Sequence, residues 1–198
     1  MKTEWIFIFL VFLVNIHDVN ATTKTINQSE EIDLPSRSIY LLDQVWTTQK
    51  NKKINLKELV GSPIVLTMTF ASCPGACPLM ISDMKNFDAQ LNPSEKKKIK
   101  YITFSIDPAR DTPEFLSKFY KKMKLDSRWT LLTSDSDQVR ELAAVLGFSY
   151  KDLGDGDYTH STSLFMISDQ GEILSRKERS SDWKEFTGLF RNQIKNKK

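Results

Sequence analysis

Residues 63–70 read Pro-Ile-Val-Leu-Thr-Met-Thr-Phe, a run of apolar and β-branched residues with no polar alternation. Such a run predicts a strand covered on both faces, which demands helices above and below the sheet that holds it. Residues 99–106 (Ile-Lys-Tyr-Ile-Thr-Phe-Ser-Ile) predict a second central strand of similar character. Hydrophobic residues make up 40% of the 198-residue chain and 12 of them are Phe. That supplies enough apolar material for one core without a disulfide staple.

The intervening segments carry helix signals. Leu79, Met80, Met84, Phe87 and Leu91 fall at helical spacing between Pro78 and Leu91. Thr112 and Pro113 read as an N-cap and first helical residue, with Phe115, Leu116, Phe119 and Met123 behind them. A strand over 129–133, a helix over 134–146 stopped by Gly147, and a strand over 163–168 follow. A turn at Asp169-Gln170-Gly171 leads into 172–175, and a terminal helix starts at Asp182. Residues 39–56 predict a β-hairpin, and the Gly/Asp-rich stretch 151–159 predicts a loop. This order gives an α/β fold of thioredoxin-like type, with an N-terminal β-hairpin extension and an inserted α/β unit.

At the N-terminus, Met1 to Trp5 precede nine apolar residues, Ile6–Val14, and a polar stretch ending Val19-Asn20-Ala21. This predicts a secretory signal peptide over 1–21, then a polar flexible lead over 22–36 and one domain over 37–198. An uncleaved membrane anchor is the rival reading, but nine apolar residues are short for ~30 Å of hydrocarbon. No cysteine stands near the cut to carry a lipid. The expected destination is an oxidising exported space, most simply a periplasm. The net charge of +3 is spread over solvated runs such as Lys96–Lys98, without the interleaved aromatics of a nucleic-acid surface.

The only two cysteines, Cys73 and Cys77, lie in Thr69-Phe-Ala-Ser-Cys73-Pro-Gly-Ala-Cys77-Pro78, after the first central strand. Spacing of i and i+4 at a helix start turns both thiols the same way, where the helix N-terminus favours thiolate. They can close a disulfide or hold one soft metal ion. As a structural bridge the pair is weak, because closing so short a loop removes little unfolded-state entropy. Removal of His17 with the signal leaves His160, in Asp157-Tyr-Thr-His160-Ser-Thr-Ser, as the only imidazole. Two thiolates and an imidazole suit Cu(I) as a trigonal site, or Cu(II) with a further weak ligand, whereas zinc wants a fourth ligand. In Asp107-Pro-Ala-Arg110-Asp111-Thr112-Pro113, the plain reading is a strand end, a turn with Arg110 paired to a carboxylate, and a capped helix. Asp107 or Asp111 would also fall at the cysteine edge of the sheet, able to orient ligands or handle protons.

Taken together and in order, these three motifs resemble those of the Sco/SenC family, over about Ile39 to Phe190. The resemblance implies a thioredoxin-like protein that binds one copper ion, Cu(I) or Cu(II), through Cys73, Cys77 and His160. It maps the family's aspartate onto Asp107. It implies a role in assembling the dinuclear copper centre of cytochrome c oxidase, with a copper-accepting subunit or another copper protein as partner. A copper chaperone is expected rather than a turnover enzyme. The alternative is a thiol–disulfide oxidoreductase, with Cys73 attacking and Cys77 resolving, that reduces cysteines of the copper-accepting protein. Thr162 stands where thioredoxin-type reductases carry a cis-proline, which weakens a generic reductase. A peroxidase is disfavoured by the cysteine spacing and the histidine. Many relatives keep a membrane or lipid anchor, which here would become peripheral membrane association.

Overall fold

The computed structural model describes residues 33–73, 76–154, 156–178 and 182–195, and for Ala76 and Cys77 the backbone alone. The expected signal peptide and most of the expected lead lie outside these residues. Leu34, near the end of that lead, packs against the core.

Seven strands form one sheet: β1 (Val45–Thr48), β2 (Lys53–Asn55), β3 (Ile64–Thr69), β4 (Lys100–Ser105), β5 (Trp129–Thr133), β8 (Ser163–Ile167) and β9 (Ile173–Glu178). Their spatial order is β2-β1-β5-β4-β3-β8-β9. The three central strands β3, β4 and β5 are parallel, and β1 and β8 join them antiparallel. All six residues of β3 are buried, as a strand covered on both faces requires. Leu66 and Met68 point into one apolar cluster with Trp46, Phe104, Phe165 and the inner residues of α4 (Ser136–Leu146). Val65 points the other way, towards α1 (Ala76–Asp88), α3 (Pro113–Lys122) and α5 (Lys184–Lys195), through Met84, Phe119 and Phe186.

Local signals set most element ends. The Thr112 hydroxyl accepts the Phe115 N–H at 3.2 Å, with Pro113 as first helical residue. Gly147 ends α4 at φ +62°, a left-handed conformation that suits glycine. Three elements depart from the sequence expectation. Ile39–Leu41 is a 3₁₀ turn, not a strand, because the Ser38 hydroxyl caps the Tyr40 N–H and the Ile39 N–H donates to the Gly171 carbonyl. A short helix α2 (Pro93–Lys96) opens on a capping box between Asn92 and Glu95. The expected loop 151–159 is mostly a hairpin of β6 (Tyr150–Asp152) and β7 (Tyr158–His160), a separate two-stranded sheet.

Candidate metal centre

Parallel pairing of β3 with β4 brings their carboxyl ends to one edge, with Thr69 opposite Ser105. β8 runs antiparallel to β3, with Leu164 opposite Thr67, so the residues before Ser163 arrive at that same edge. The edge therefore collects three segments: the cysteine loop after β3, the Asp107–Asp111 turn after β4, and the His160 strand before β8. Ligands gather at such carboxyl ends in open α/β sheets.

Cys73 does not lie in the helix. It closes a turn in which its N–H donates to the Phe70 carbonyl at 3.2 Å, and α1 begins three residues later. It is half-buried and packs against the clusters on both sheet faces. Cys77 is the second residue of α1, and the reading of its thiol falls outside the described side chains.

The loop is gripped by carboxylates. Asp111 is fully buried (0% exposed) and accepts the N–H groups of Ala71 at 2.7 Å and Ser72 at 3.2 Å, together with the Ser105 hydroxyl at 2.7 Å. Desolvation dominates its ionisation and lifts the carboxyl above its ordinary range; these hydrogen bonds pull the other way, and neighbouring Asp107 adds to the rise. Asp107, 2% exposed, accepts the Ser72 hydroxyl at 3.4 Å and is ion-paired to Arg110. Both aspartates thus hold the residues just before Cys73.

His160 is held from three sides. Its Nδ1 faces the Ser161 carbonyl at 2.7 Å. A carbonyl only accepts, so Nδ1 carries a proton, and Nε2 is the ring nitrogen left to face a ligand. The ring stacks on Phe148 at 5.9 Å and meets Phe70 edge-on at 5.8 Å between centroids. Phe70 also packs on Tyr158 at 5.1 Å. The imidazole therefore rests on the residue whose carbonyl accepts the Cys73 N–H. The arrangement orients the ring through Nδ1 beside a thiol-bearing loop, as an outer hydrogen bond orients an imidazole ligand.

The aromatic seat of His160 was missed in the sequence. Its signal was the alternation Phe148-x-Tyr150-x-Asp152 before the turn and Tyr158-x-His160 after it, which fits the observed pairing of Tyr150 with His160.

Fold and site together define a thioredoxin-like protein with a thiol loop and an imidazole at one sheet edge. The family profile described as SCO1/SenC matches residues 41–194, and the chain belongs to this family. It is 28% identical to the SCO1 protein homolog of Bacillus subtilis, over 65% of this chain and 68% of that protein. Copper-bound ScoI of Arabidopsis thaliana superposes with a TM-score of 0.66 at 18% identity, covering 77% of this chain and 96% of that one. BsSco, a member of the Sco family of cytochrome c oxidase assembly proteins with a disulfide switch, gives 0.66 at 22% identity over 76% and 90% of the two chains.

Proposed function

We propose that this protein is an exported copper metallochaperone that assists assembly of the dinuclear copper centre of cytochrome c oxidase. One copper ion, as Cu(I) or Cu(II), would be cargo held by Cys73, Cys77 and His160 Nε2, passed by ligand exchange to a copper-accepting subunit or another copper protein. The observation that carries the reading is the His160 ring, its Nδ1 committed to the Ser161 carbonyl, seated on Phe70 beside the Cys73 turn. Membership of the SCO1/SenC family and the copper-bound relative support it. Export rests on the reading of residues 1–21 as a cleaved signal, with a periplasm as destination. Asp111 and Asp107 would orient the thiol loop rather than bind copper.

A second reading, a thiol–disulfide oxidoreductase acting on the copper-accepting protein, is favoured by the half-buried Cys73 standing just ahead of α1. The two readings part at His160. Under the copper reading, His160→Ala weakens Cu(I) retention by about a hundredfold or more in an anaerobic competition titration. Disulfide formation between Cys73 and Cys77 stays near wild type. Wild-type Cu(I) affinity in His160→Ala, with rapid dithiol exchange against a peptide disulfide in metal-free protein, would overturn the copper reading in favour of the reductase.

A further inference from the structure

The hairpin that carries His160 shares no ladder with the main sheet. Its seat is made by side chains, among them the charged side chain of Arg110, which comes from another element. Arg110 lies over the Phe70 ring at 5.5 Å and the Tyr158 ring at 6.0 Å. Its Nη1 also lies close beside the hairpin turn: a Cβ built at Gly156 would stand 2.9 Å from it. Behind it, the guanidinium is anchored to Asp107, the buried carboxylate that accepts the Ser72 hydroxyl.

We propose that Arg110 is the positioning residue that seats the His160 hairpin against the cysteine loop. The proposal rests on the metal reading above, in which sulfur comes from the loop and nitrogen from the hairpin. A single guanidinium, planar and permanently charged, faces two aromatic rings and a carboxylate at once, which an ammonium cannot match. Phe70 belongs to the sheet end, Tyr158 and Gly156 to the hairpin, and Asp107 to the turn that grips the loop. Arg110 therefore joins the end of β3, the hairpin and the Asp107 turn, without being a ligand itself. Losing it leaves Phe70, Phe148 and His160 their ring contacts but removes the tie across the turn side of the hairpin.

The test uses Arg110→Met, which keeps much of the apolar stem without the charge, and Arg110→Lys, each made alone and with His160→Ala. In metal-free protein, Arg110→Met is expected to speed amide exchange at Leu153 and Ser161, whose N–H groups close the hairpin onto Asp157 and Ser149. Cu(I) affinity in an anaerobic competition titration should fall by about three- to tenfold, as expected for loss of partly exposed cation–π contacts. Adding Arg110→Met to His160→Ala should cost nothing further, and Arg110→Lys should recover only part of the loss. An equal loss in both backgrounds would place the effect of Arg110 on the cysteine loop alone and overturn the proposal. Unchanged amide exchange in the hairpin would overturn it as well, whatever copper does. If His160→Ala itself leaves Cu(I) affinity untouched, the metal reading fails, and the exchange measurement still decides whether Arg110 seats the hairpin.

Discussion

Two carboxylates withdrawn from water, Asp88 and Asp111, take opposite ionisation behaviour within one domain. Asp88, at the end of α1, is surrounded by cations: Arg128 meets both its oxygens, Lys96 stands at 3.1 Å, and the Tyr101 hydroxyl donates at 2.7 Å. Burial raises its carboxyl pKa, but these partners outweigh it and hold the group below its usual range. Arg128 is completed by Asp126 and lies over the Tyr101 ring, itself stacked on Trp129 at 4.4 Å. Asp111 has backbone N–H groups and a hydroxyl as partners, with Asp107 as a near neighbour, and desolvation wins. The first arrangement strengthens the fold. The second sets a carboxyl whose ionisation burial disfavours against the backbone just before Cys73.

The largest effect should come from breaking the first arrangement. Arg128→Met is expected to lower unfolding stability by about 2 kcal/mol at pH 7, below the ~3–5 kcal/mol of a fully buried pair because Arg128 is 23% exposed. The folded pKa of Asp88 is depressed, so its stabilisation is present above the unfolded carboxylate pKa and is lost as pH falls through the folded value. The gap between wild type and Arg128→Met in urea titrations should therefore narrow as pH falls from 5 to 2. A gap that stays constant would mean that Asp88 is not the group Arg128 serves.

Asp111→Asn should show the reverse slope. The folded pKa of Asp111 is raised, so its contribution is fully present below the unfolded pKa of about 3.9 and declines as pH rises through the folded value. Wild type should exceed Asp111→Asn in stability most clearly near pH 3 and lose part of that lead by pH 7. The loss near pH 3 should be about 1–2 kcal/mol, since both oxygens of a protonated carboxyl keep lone pairs for the three donors, whereas the NH2 of the amide accepts from none of them. Like slopes for both variants would erase the contrast between the two carboxylates.

The parts of the fold legible in the sequence are those whose cause is local. β3 announces itself by a near-continuous apolar run, β4 by β-branched and aromatic residues, and α3 by Thr112-Pro113, because strand character and an N-cap are written within a few residues. What escaped is held by distant partners. Ala71 and Asp111 are 40 residues apart, so no spacing rule shows that a carboxylate clamps the cysteine loop. Asp107 and Asp111 could be assigned to the right edge from topology, but not the fact that they hold Ser72 and Ala71. The i, i+4 thiol spacing suggested one helical face, whereas α1 starts at Ala76 and leaves Cys73 in a preceding turn. In the His160 hairpin the alternation covers only three residues in each strand, and Gly154 and Gly156 between them outweigh it and read as loop.

The smallest expected effect isolates the carboxylate from the helix it precedes. Thr112 adjoins Asp111 and caps α3 with a hydroxyl, a group that does not titrate in this range. Thr112→Ala should lower stability by about 1 kcal/mol, a typical cost for an N-cap, and the loss should be the same at pH 3 and pH 7. Cu(I) affinity should be unchanged, because the Asp111 contacts to Ala71 and Ser72 stay in place. A pH-dependent loss matching that of Asp111→Asn would trace the slope to the α3 terminus, and Asp111 would then have no separate part in holding the thiol loop.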